Sequence, residues 1–262
     1  MEAELGFHCR FFSAQLTCLM LLFACSHVSG IYISNNQCNI KNDVLKLGSS
    51  LTPQQNTTCL VSPHEMFSAG FYMVGDNAYV FAIWYTQTRD RTVAWVANRD
   101  QPVNGRDSHL LLRKDGNLLL SDADGSILWS TNTGSNSNVK EAALLETGNL
   151  VLRGFSGDYV WESFQYPTDT LLPLQPLRDN MQLISRLGRG TFKPGYYRLY
   201  FDSYSILRLI YDDGSGLKNN YGPSGGQNTL YVQAMLNASS NLRSNDGLKL
   251  RHQIMEKAPR ED

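Results

Sequence analysis

The chain has 262 residues, which is enough for one large domain or two modest ones with their own hydrophobic cores. Charged residues make up 18% of the sequence and the formal net charge is −1, so the composition gives no reason to expect a nucleic acid or an anionic membrane as a partner. Glycine, tyrosine and phenylalanine are frequent and helix-periodic stretches are few, which favours many short strands joined by turns.

The first 30 residues have the features of a secretory signal peptide. Arg10 precedes an apolar run from Leu16 to Cys25, and small residues follow as far as Gly30. The run is shorter than the ~20 residues that span a bilayer, so we expect cleavage near Gly30 rather than an anchor. The alternative is a buried N-terminal helix. The sequence therefore predicts a chain that enters the secretory pathway and is extracellular.

The cysteines fit an oxidising compartment. Three of the five precede Gly30, which leaves Cys38 and Cys59 as a pair. A disulfide between them would close a loop of about 20 residues and contribute roughly 3 kcal/mol to stability, with two free thiols as the alternative. Asn56 and Asn237 each begin a sequon and are candidate glycosylation sites.

After a polar stretch, short strand-like segments follow one another at a spacing of about ten residues, with Gly, Asn and Asp in the turns between them. Regularly spaced short strands of this kind predict a sandwich, a barrel or a prism. The predicted strands are Phe67–Met73, Tyr79–Tyr85, Thr92–Ala97, Leu110–Arg113, Leu118–Ser121, Ile127–Ser130, Ala142–Leu145, Leu150–Arg153 and Tyr159–Trp161.

An internal repeat lies within these strands. Asn117 recurs as Asn149 and Trp129 recurs as Trp161, in both cases 32 residues further on, and a looser third copy leads to Trp84. Each copy reads as a small sheet that is unable to bury its own face, so three of them packed together would place one tryptophan each in a shared centre. The predicted core tryptophans are Trp84, Trp95, Trp129 and Trp161.

Three segments make the pattern specific. Val93–Pro102, Thr147–Leu152 and Trp161–Pro173 resemble the ectodomain part of plant G-type (bulb-type) lectin S-domain receptor-like serine/threonine kinases. The resemblance implies an all-β fold over residues 31–175, a β-prism of three four-stranded sheets. It continues more weakly over residues 176–236, which implies a partial second lectin-like or S-locus-type β segment. Residues 237–262 are polar and unlike the family, so we expect a disordered or aberrant tail.

The resemblance also implies where a sugar would bind. The family's mannose motif is Gln-x-Asp-x-Asn-x-Val-x-Tyr, in which alternate residues of a strand face one side. The first copy matches it at Asp115 and Asn117, with Leu119 in place of valine, and the second matches only at Asn149 and Val151. Each lost hydrogen bond costs ~0.5–1.5 kcal/mol, so these degenerate positions predict weak carbohydrate binding or turns that are kept for their backbone alone.

Two segments resemble sites of other classes. Gly188–Gly195 is similar to the glycine-rich loop of kinases, but no Val-Ala-Ile-Lys, His-Arg-Asp or Asp-Phe-Gly element follows, which favours a loop between strands. Asp122–Gly125 resembles the start of a calcium loop, but the remaining ligand positions do not follow, which favours a hairpin turn.

No catalytic or metal site is expected. Three histidines lie beyond the predicted signal peptide without metal-ligand spacing. Glu162 and Asp169 would have to meet in space to act as a glycosidase pair, which the sequence does not show. We therefore expect no metal, no cofactor and no catalysis by this chain. The histidines are His64, His109 and His252.

Two functions remain. The first is an extracellular recognition module of a truncated receptor-like serine/threonine kinase, which binds a glycan, a peptide or a related ectodomain, with a location at the plasma membrane if the full receptor exists. The alternative is a stand-alone secreted mannose-binding-like lectin in the apoplast. The sequence names no ligand, and it separates the two only through what is encoded downstream.

Overall fold

A computed structural model describes the chain over residues 38, 40–53, 58–88, 91–135, 138–204 and 206–214 and over four later strands. The predicted signal peptide, the two sequon asparagines Asn56 and Asn237, and His252 lie outside the described residues. In the described part of the chain no helix has the length and apolar character of a membrane span.

Residues 40–162 form three small sheets around one hydrophobic core. In chain order the strands are β1 (Ile40–Asn42), β2 (Val44–Lys46), β3 (Ser50–Leu51), β4 (Thr58–Val61), β5 (Phe67–Gly75), β6 (Ala78–Tyr85), β7 (Val93–Val96), β8 (Val103–Asn104), β9 (His109–Leu112), β10 (Leu118–Ser121), β11 (Ile127–Ser130), β12 (Val139–Leu144), β13 (Leu150–Gly154) and β14 (Tyr159–Glu162). A 3₁₀ helix, Ser163–Gln165, follows β14.

The fold is the all-β prism that the resemblance implies. The first sheet has the order β1-β4-β5-β6-β7, with β8 paired to β6, so it has six strands rather than the four predicted. The second sheet is β11-β10-β9-β3 and the third is β14-β13-β12-β2, each with four strands. The second and third sheets are the two copies of the 32-residue repeat. The nine predicted strands are all present, with ends that differ by three residues or fewer.

The turn glycines of the repeat have a steric reason. Gly148, between β12 and β13, has a φ of +81°, a conformation that side chains other than glycine adopt only with strain. A Cβ at this position would also lie 2.6 Å from Leu172 Cδ1 and 3.1 Å from a ring atom of Phe67. The glycine therefore allows the hairpin to pack against the core as well as to turn.

Three tryptophans meet at the centre of the prism. Trp95, Trp129 and Trp161 pack edge to face, with ring centroids 5.7, 5.8 and 6.3 Å apart. The indole N–H of Trp95 donates to the Tyr166 carbonyl oxygen at 2.8 Å. The interpretation of Trp84 as the tryptophan of the third copy is wrong. Trp84 is buried on the opposite face of the first sheet, in a separate cluster, because adjacent strand residues point to opposite faces and the repeat aligns Trp95 with the other two.

The disulfide predicted from the cysteine count is confirmed. Cys38 and Cys59 are joined, with their Cα atoms 5.5 Å apart. Cys59 lies on β4 in the same cluster as Trp84. The bridge therefore ties the segment before β1 to the outward face of the first sheet.

Further strands follow the prism. They are β15 (Pro176–Arg178), β16 (Gln182–Arg186), β17 (Pro194–Phe201), β18 (Leu207–Asp212), β19 (Lys218–Asn220), β20 (Gln233–Leu236), β21 (Leu242–Ser244) and β22 (Lys249–Leu250). They pair into two four-stranded sheets, β16-β17-β18-β19 and β15-β20-β21-β22, and β15 to β18 contribute to a small core of their own. β21 and β22 lie within the segment for which the sequence predicts a disordered or aberrant tail, and the rest of residues 237–262 lies outside the described residues.

Candidate functional site

The strand register makes the three outward faces directly comparable. Leu120 pairs with Trp129, Leu152 with Trp161 and Ile83 with Trp95, so these pairs occupy equivalent places in the three sheets. In each pair the first residue lies on the middle strand of the repeat unit. The residue three positions before it is Asn117 in the second sheet, Asn149 in the third and Val80 in the first. The motif asparagine is therefore kept in the second and third sheets and replaced in the first.

In the second sheet, Asn117 holds a loop with one side of its amide. Asn117 Oδ1 accepts hydrogen bonds from Ser130 Oγ at 2.9 Å, Thr131 Oγ1 at 3.1 Å and the Thr133 backbone N–H at 3.3 Å. Asn117 Nδ2 donates to none of the described residues, and the residue is partly exposed. The same side chain thus stabilises the loop after β11 and keeps a donor for a ligand.

Asp115 lies beside this amide at the turn between β9 and β10. Asp115 Oδ1 accepts from the Asn117 backbone N–H at 3.0 Å, and Arg113 Nη2 lies 3.2 Å from Oδ2. The carboxylate side chain is 35% exposed. A Cβ at Gly134 would lie 3.3 Å from Asp115 Oδ2, so the absence of a side chain there leaves this oxygen uncrowded.

Further along β10 the motif positions are changed. Leu119, in place of valine, is 6% exposed and pairs with Leu111 on β9. Ser121, in place of tyrosine, pairs with His109, and its hydroxyl lies 3.1 Å from His109 Nε2. The role of His109 could not be predicted from the sequence, because its partnership with Ser121 depends on the cross-strand register. The signal that could have revealed it is the repeat, which aligns His109 with Glu141, the partner of Arg153.

In the third sheet both polar atoms of the equivalent amide have protein partners. Asn149 Nδ2 donates to Glu162 Oε2 at 2.7 Å, while Oδ1 accepts from Ser163 Oγ at 3.2 Å and from the Phe164 backbone N–H at 3.1 Å. Asn149 is only 4% exposed. This side chain fixes the 3₁₀ helix after β14, and no polar atom of it is left for a ligand to approach.

The rest of the third face is also closed. Val151 is completely buried. At the next position along the strand, Arg153 Nη1 donates to Glu141 Oε1 at 2.9 Å, across the sheet from β13 to β12. The carboxylate and the guanidinium therefore neutralise each other's charge on the surface that a sugar would need.

The outward face of the first sheet is apolar and covered. Val80 and Trp84 are 1% exposed and Ala82 is fully buried, and Tyr72 and Phe192 pack against their cluster. Asn98 replaces the loop contact of the other sheets, because its Oδ1 accepts from the Phe81 backbone N–H at 2.9 Å. The Phe81 backbone N–H thus has a hydrogen-bond acceptor although this sheet has no motif asparagine.

An arginine attaches the β16–β17 hairpin to this covered face. Arg99 donates to the carbonyl oxygens of Phe192 at 2.8 Å, Ile184 at 3.0 Å and Ser185 at 3.0 Å. Burial lowers the pKa of the Arg99 guanidinium, and the nearby Asp169 carboxylate opposes that shift. This role of Arg99 could not be predicted from the sequence, because its acceptors are backbone atoms about 90 residues away.

Arg186 adds a second contact to the same joint. Its guanidinium pairs with Asp169, donates to the Val93 carbonyl oxygen at 2.9 Å and lies 4.6 Å from the centroid of the Phe192 ring. Asp169 is thus occupied by Arg186, and Glu162 by Asn149, so these two carboxylates act in separate contacts rather than as a pair.

The Asp122–Gly125 segment forms a hairpin turn. The Asp122 carboxylate accepts from the Asn104 backbone N–H, the Ala123 backbone N–H and the Ser108 hydroxyl, at 2.8 to 2.9 Å. Burial opposes ionisation, but these hydrogen bonds outweigh it and lower the pKa of Asp122. Among the described residues no group of three His, Cys, Asp or Glu is arranged to hold a metal ion. Gly188–Gly195 contains the loop that joins β16 to β17.

Comparison with known proteins agrees with this geometry. Residues 92–187 match the D-mannose binding lectin family. The relatives include the G-type lectin S-receptor-like serine/threonine-protein kinases B120 and At1g11300 of Arabidopsis thaliana, which are 33% identical over 196 residues and 41% identical over 135 residues. These alignments cover 71% and 50% of this chain but 23% and 16% of the relatives, so the chain spans about a fifth of their length.

Among solved structures, the chain is similar to a monomeric monocot mannose-binding lectin from Gastrodia elata, at 20% identity and a TM-score of 0.36 over 47% of this chain and 96% of that one. The fold and the family match together define a bulb-type lectin domain. Residues 92–187 thus match a lectin family, and the chain is similar to plant G-type lectin S-receptor-like serine/threonine kinases over about a fifth of their length.

Proposed function

We propose that this chain is an extracellular recognition module of a receptor-like serine/threonine kinase and that it binds a glycan on the outward face of the second sheet. The observation that supports the choice of face is the state of the motif amide. Asn117 Nδ2 has no protein partner among the described residues, whereas Asn149 Nδ2 donates to Glu162. Val80, at the same position of the first sheet, has no polar group in its side chain.

Binding at this single face is weak. The glutamine and tyrosine positions of the motif are Arg113 and Ser121, and each lost hydrogen bond costs ~0.5–1.5 kcal/mol, which together lowers affinity by roughly 5- to 150-fold relative to a complete motif. Asp115 and Asn117 remain as a carboxylate and an amide donor that are side by side. Several copies of the chain held on one surface would raise the effective affinity for a repeated glycan, since the linked faces could be engaged together.

Asn117→Asp tests this proposal directly. The substitution keeps an oxygen for Ser130, Thr131 and the loop, but it replaces the Nδ2 donor, so glycan binding to the full secreted chain should fall at least tenfold on a glycan array. The matched control is Asn149→Asp. It places a carboxylate against Glu162 and should lower the melting temperature while affinity for the glycan, measured below that temperature, is unchanged. Loss of binding in the control, or retention of binding in Asn117→Asp, contradicts the proposal.

The location proposed is the secretory pathway and the cell exterior. It is supported by the predicted signal peptide and by the Cys38–Cys59 bridge, since disulfides persist in oxidising compartments. Expression in plant cells should give a chain that begins near residue 31 and whose mass falls after deglycosylation if Asn56 or Asn237 carries a glycan. Sequencing of the transcript distinguishes this proposal from the stand-alone lectin alternative. A membrane span and kinase motifs encoded downstream of residue 262 would reject the stand-alone lectin.

A further inference from the structure

We propose that the outward face of the second sheet is a groove for an acidic oligosaccharide of at least two residues, with the carboxylate of a uronic acid at Arg113 and the neighbouring sugar at His109. The inference rests on the proposed function, because it names the ligand class of the same face. It assigns binding roles to two residues, Arg113 and His109, that lie outside the matching positions of the mannose motif, and it assigns Ser121 the role of positioning the His109 imidazole.

The length of the groove follows from the register of β9 and β10. The hairpin is closed where the Arg113 backbone N–H donates to the Asn117 carbonyl oxygen at 2.8 Å. Leu111 pairs with Leu119, and His109 pairs with Ser121. From Asn117 to Ser121 is four residues of strand, or ~13 Å at ~3.3 Å per residue. This distance exceeds the length of one pyranose ring and fits two that are joined.

The change from tyrosine to serine is what lengthens the site. A tyrosine at this position could return its hydroxyl towards the asparagine and enclose a single sugar, whereas Ser121 is 4% exposed and its hydroxyl lies 3.1 Å from His109 Nε2. The partly exposed imidazole of His109 supplies the polar group at the far end instead. Between the two polar ends lies the leucine pair, against which the C–H face of a sugar ring can pack.

The charge at the near end selects a carboxylate. The Arg113 side chain is 51% exposed and its one ion pair, to Asp115 at 3.2 Å, leaves other N–H groups of the guanidinium available. A guanidinium binds a carboxylate through two parallel hydrogen bonds and accepts none, so it does not replace the acceptor of a glutamine. Lys114 is exposed in the same turn, which makes the turn net positive.

The third sheet shows what the same positions look like without a groove. There the equivalents of His109 and Ser121 are Glu141 and Arg153, which pair with each other at 2.9 Å, and the equivalent of Arg113 is Leu145. Of the three sheets that form the prism, the second therefore combines a cation at the turn, Arg113, with a partly exposed imidazole at the other end of the strands, His109, and the third does not.

The test is calorimetric titration of the full chain with galacturonic acid oligomers of one to four residues and with their methyl esters, which remove the charge and keep the ring. The dimer should bind at least tenfold more tightly than the monomer, and the free acid at least tenfold more tightly than the ester. Arg113→Gln should abolish the preference for acid over ester, and His109→Ala the preference for dimer over monomer. Lys140→Ala removes an exposed positive charge from β12 and should change neither preference.

The outcomes separate this inference from the function on which it rests. Equal affinity for acid and ester, equal affinity for monomer and dimer, or a loss in Lys140→Ala as large as in Arg113→Gln would overturn the acidic groove. If the chain binds neutral mannose oligomers, loses them in Asn117→Asp and shows no preference for acids, the proposed function stands and the inference falls. If a folded sample binds neither class, both are rejected.

Discussion

The second and third sheets are two copies of one unit, yet their motif asparagines end in opposite states. Both amides support the segment that follows the tryptophan strand, through a hydroxyl that also accepts a backbone N–H: Thr131 from Leu118 at 3.1 Å and Ser163 from Leu150 at 2.9 Å. The difference is the residue across the sheet. Ser130 donates to Asn117 Oδ1 and leaves Nδ2 free, whereas Glu162 accepts from Asn149 Nδ2.

An asparagine that matches the mannose motif therefore does not by itself mark a binding site. An asparagine in this position has a structural role in both copies, so its presence is explained without any ligand. Whether it can also bind is decided by one cross-strand neighbour, a serine in one copy and a glutamate in the other. In the first sheet the structural role passes to Asn98, and the face is free to become an apolar interface.

The largest expected effect is on the core that all three sheets share. Trp161 is 6% exposed and contacts the rings of Trp95, Trp129 and Tyr166. Trp161→Ala should lower the free energy of unfolding by about 3–5 kcal/mol, because it leaves a cavity at the centre of the prism. Guanidinium chloride denaturation measures this, and a loss below about 1 kcal/mol would mean that the sheets do not depend on a common centre.

A smaller effect is expected where the first sheet differs from the other two. Arg99→Gln cannot supply three donors to the carbonyls of Ile184, Ser185 and Phe192, so it should cost about 2–4 kcal/mol in stability. The readout is hydrogen exchange of the β16–β17 hairpin, whose protection should fall more than that of β10 and β13. Equal loss in all strands would show that the hairpin and the prism unfold as one unit.

An exchange between the two copies tests the comparison itself. Ser130→Glu places a carboxylate on the strand next to Asn117, as Glu162 lies on the strand next to Asn149, and should engage Nδ2 and reduce glycan binding at least tenfold with a change in stability below about 1 kcal/mol. Binding that survives in this variant would show that the free amide is not what distinguishes the second sheet. Lys140→Gln, which also lowers the net charge by one, at an exposed position of β12, is the control.

The smallest effect concerns pH. The pKa of Asp122 is lowered in the folded chain, so its contribution to stability is present above the unfolded value of about 3.9 and is lost as the pH falls through the lower folded value. Asp122→Asn should therefore destabilise the chain at pH 7 and flatten the dependence of the melting temperature on pH below about 4. A variant whose acid profile matches that of the parent would show that the turn draws no stability from the ionised form.

Much of the fold follows from local patterns, because strands, turn glycines and the tryptophan repeat are properties of short segments. The cysteine pairing was also predictable, since only two cysteines remain after residue 30. The assignment of Trp84 failed because its segment resembles the repeat only loosely, and the face to which a strand residue points changes with a shift of one position. The six strands of the first sheet were not predicted because β1 and β8 have only three and two residues, and because β1 and β4 lie in the stretch before residue 63 that is mostly polar.

The site could be predicted only in part. The sequence identifies Asp115, Asn117 and Asn149, but the partners that set the states of the two asparagines lie on neighbouring strands or in the loops beyond them, 13 to 16 residues away in the chain. The roles of His109 and Arg99 are harder still to identify from the sequence. His109 contacts a serine on the neighbouring strand, and Arg99 donates to backbone carbonyl oxygens. Register, rather than composition, carries this information.

The most direct test of the central claim is an NMR titration that observes the side-chain amides of Asn117 and Asn149 while a glycan is added to the full chain. The Nδ2 signals of Asn117 should shift with the ligand concentration. The Nδ2 signals of Asn149, which is held by Glu162, should not move. Shifts at Asn149 with none at Asn117, or equal shifts at both, would contradict the claim that the second sheet alone keeps a binding face.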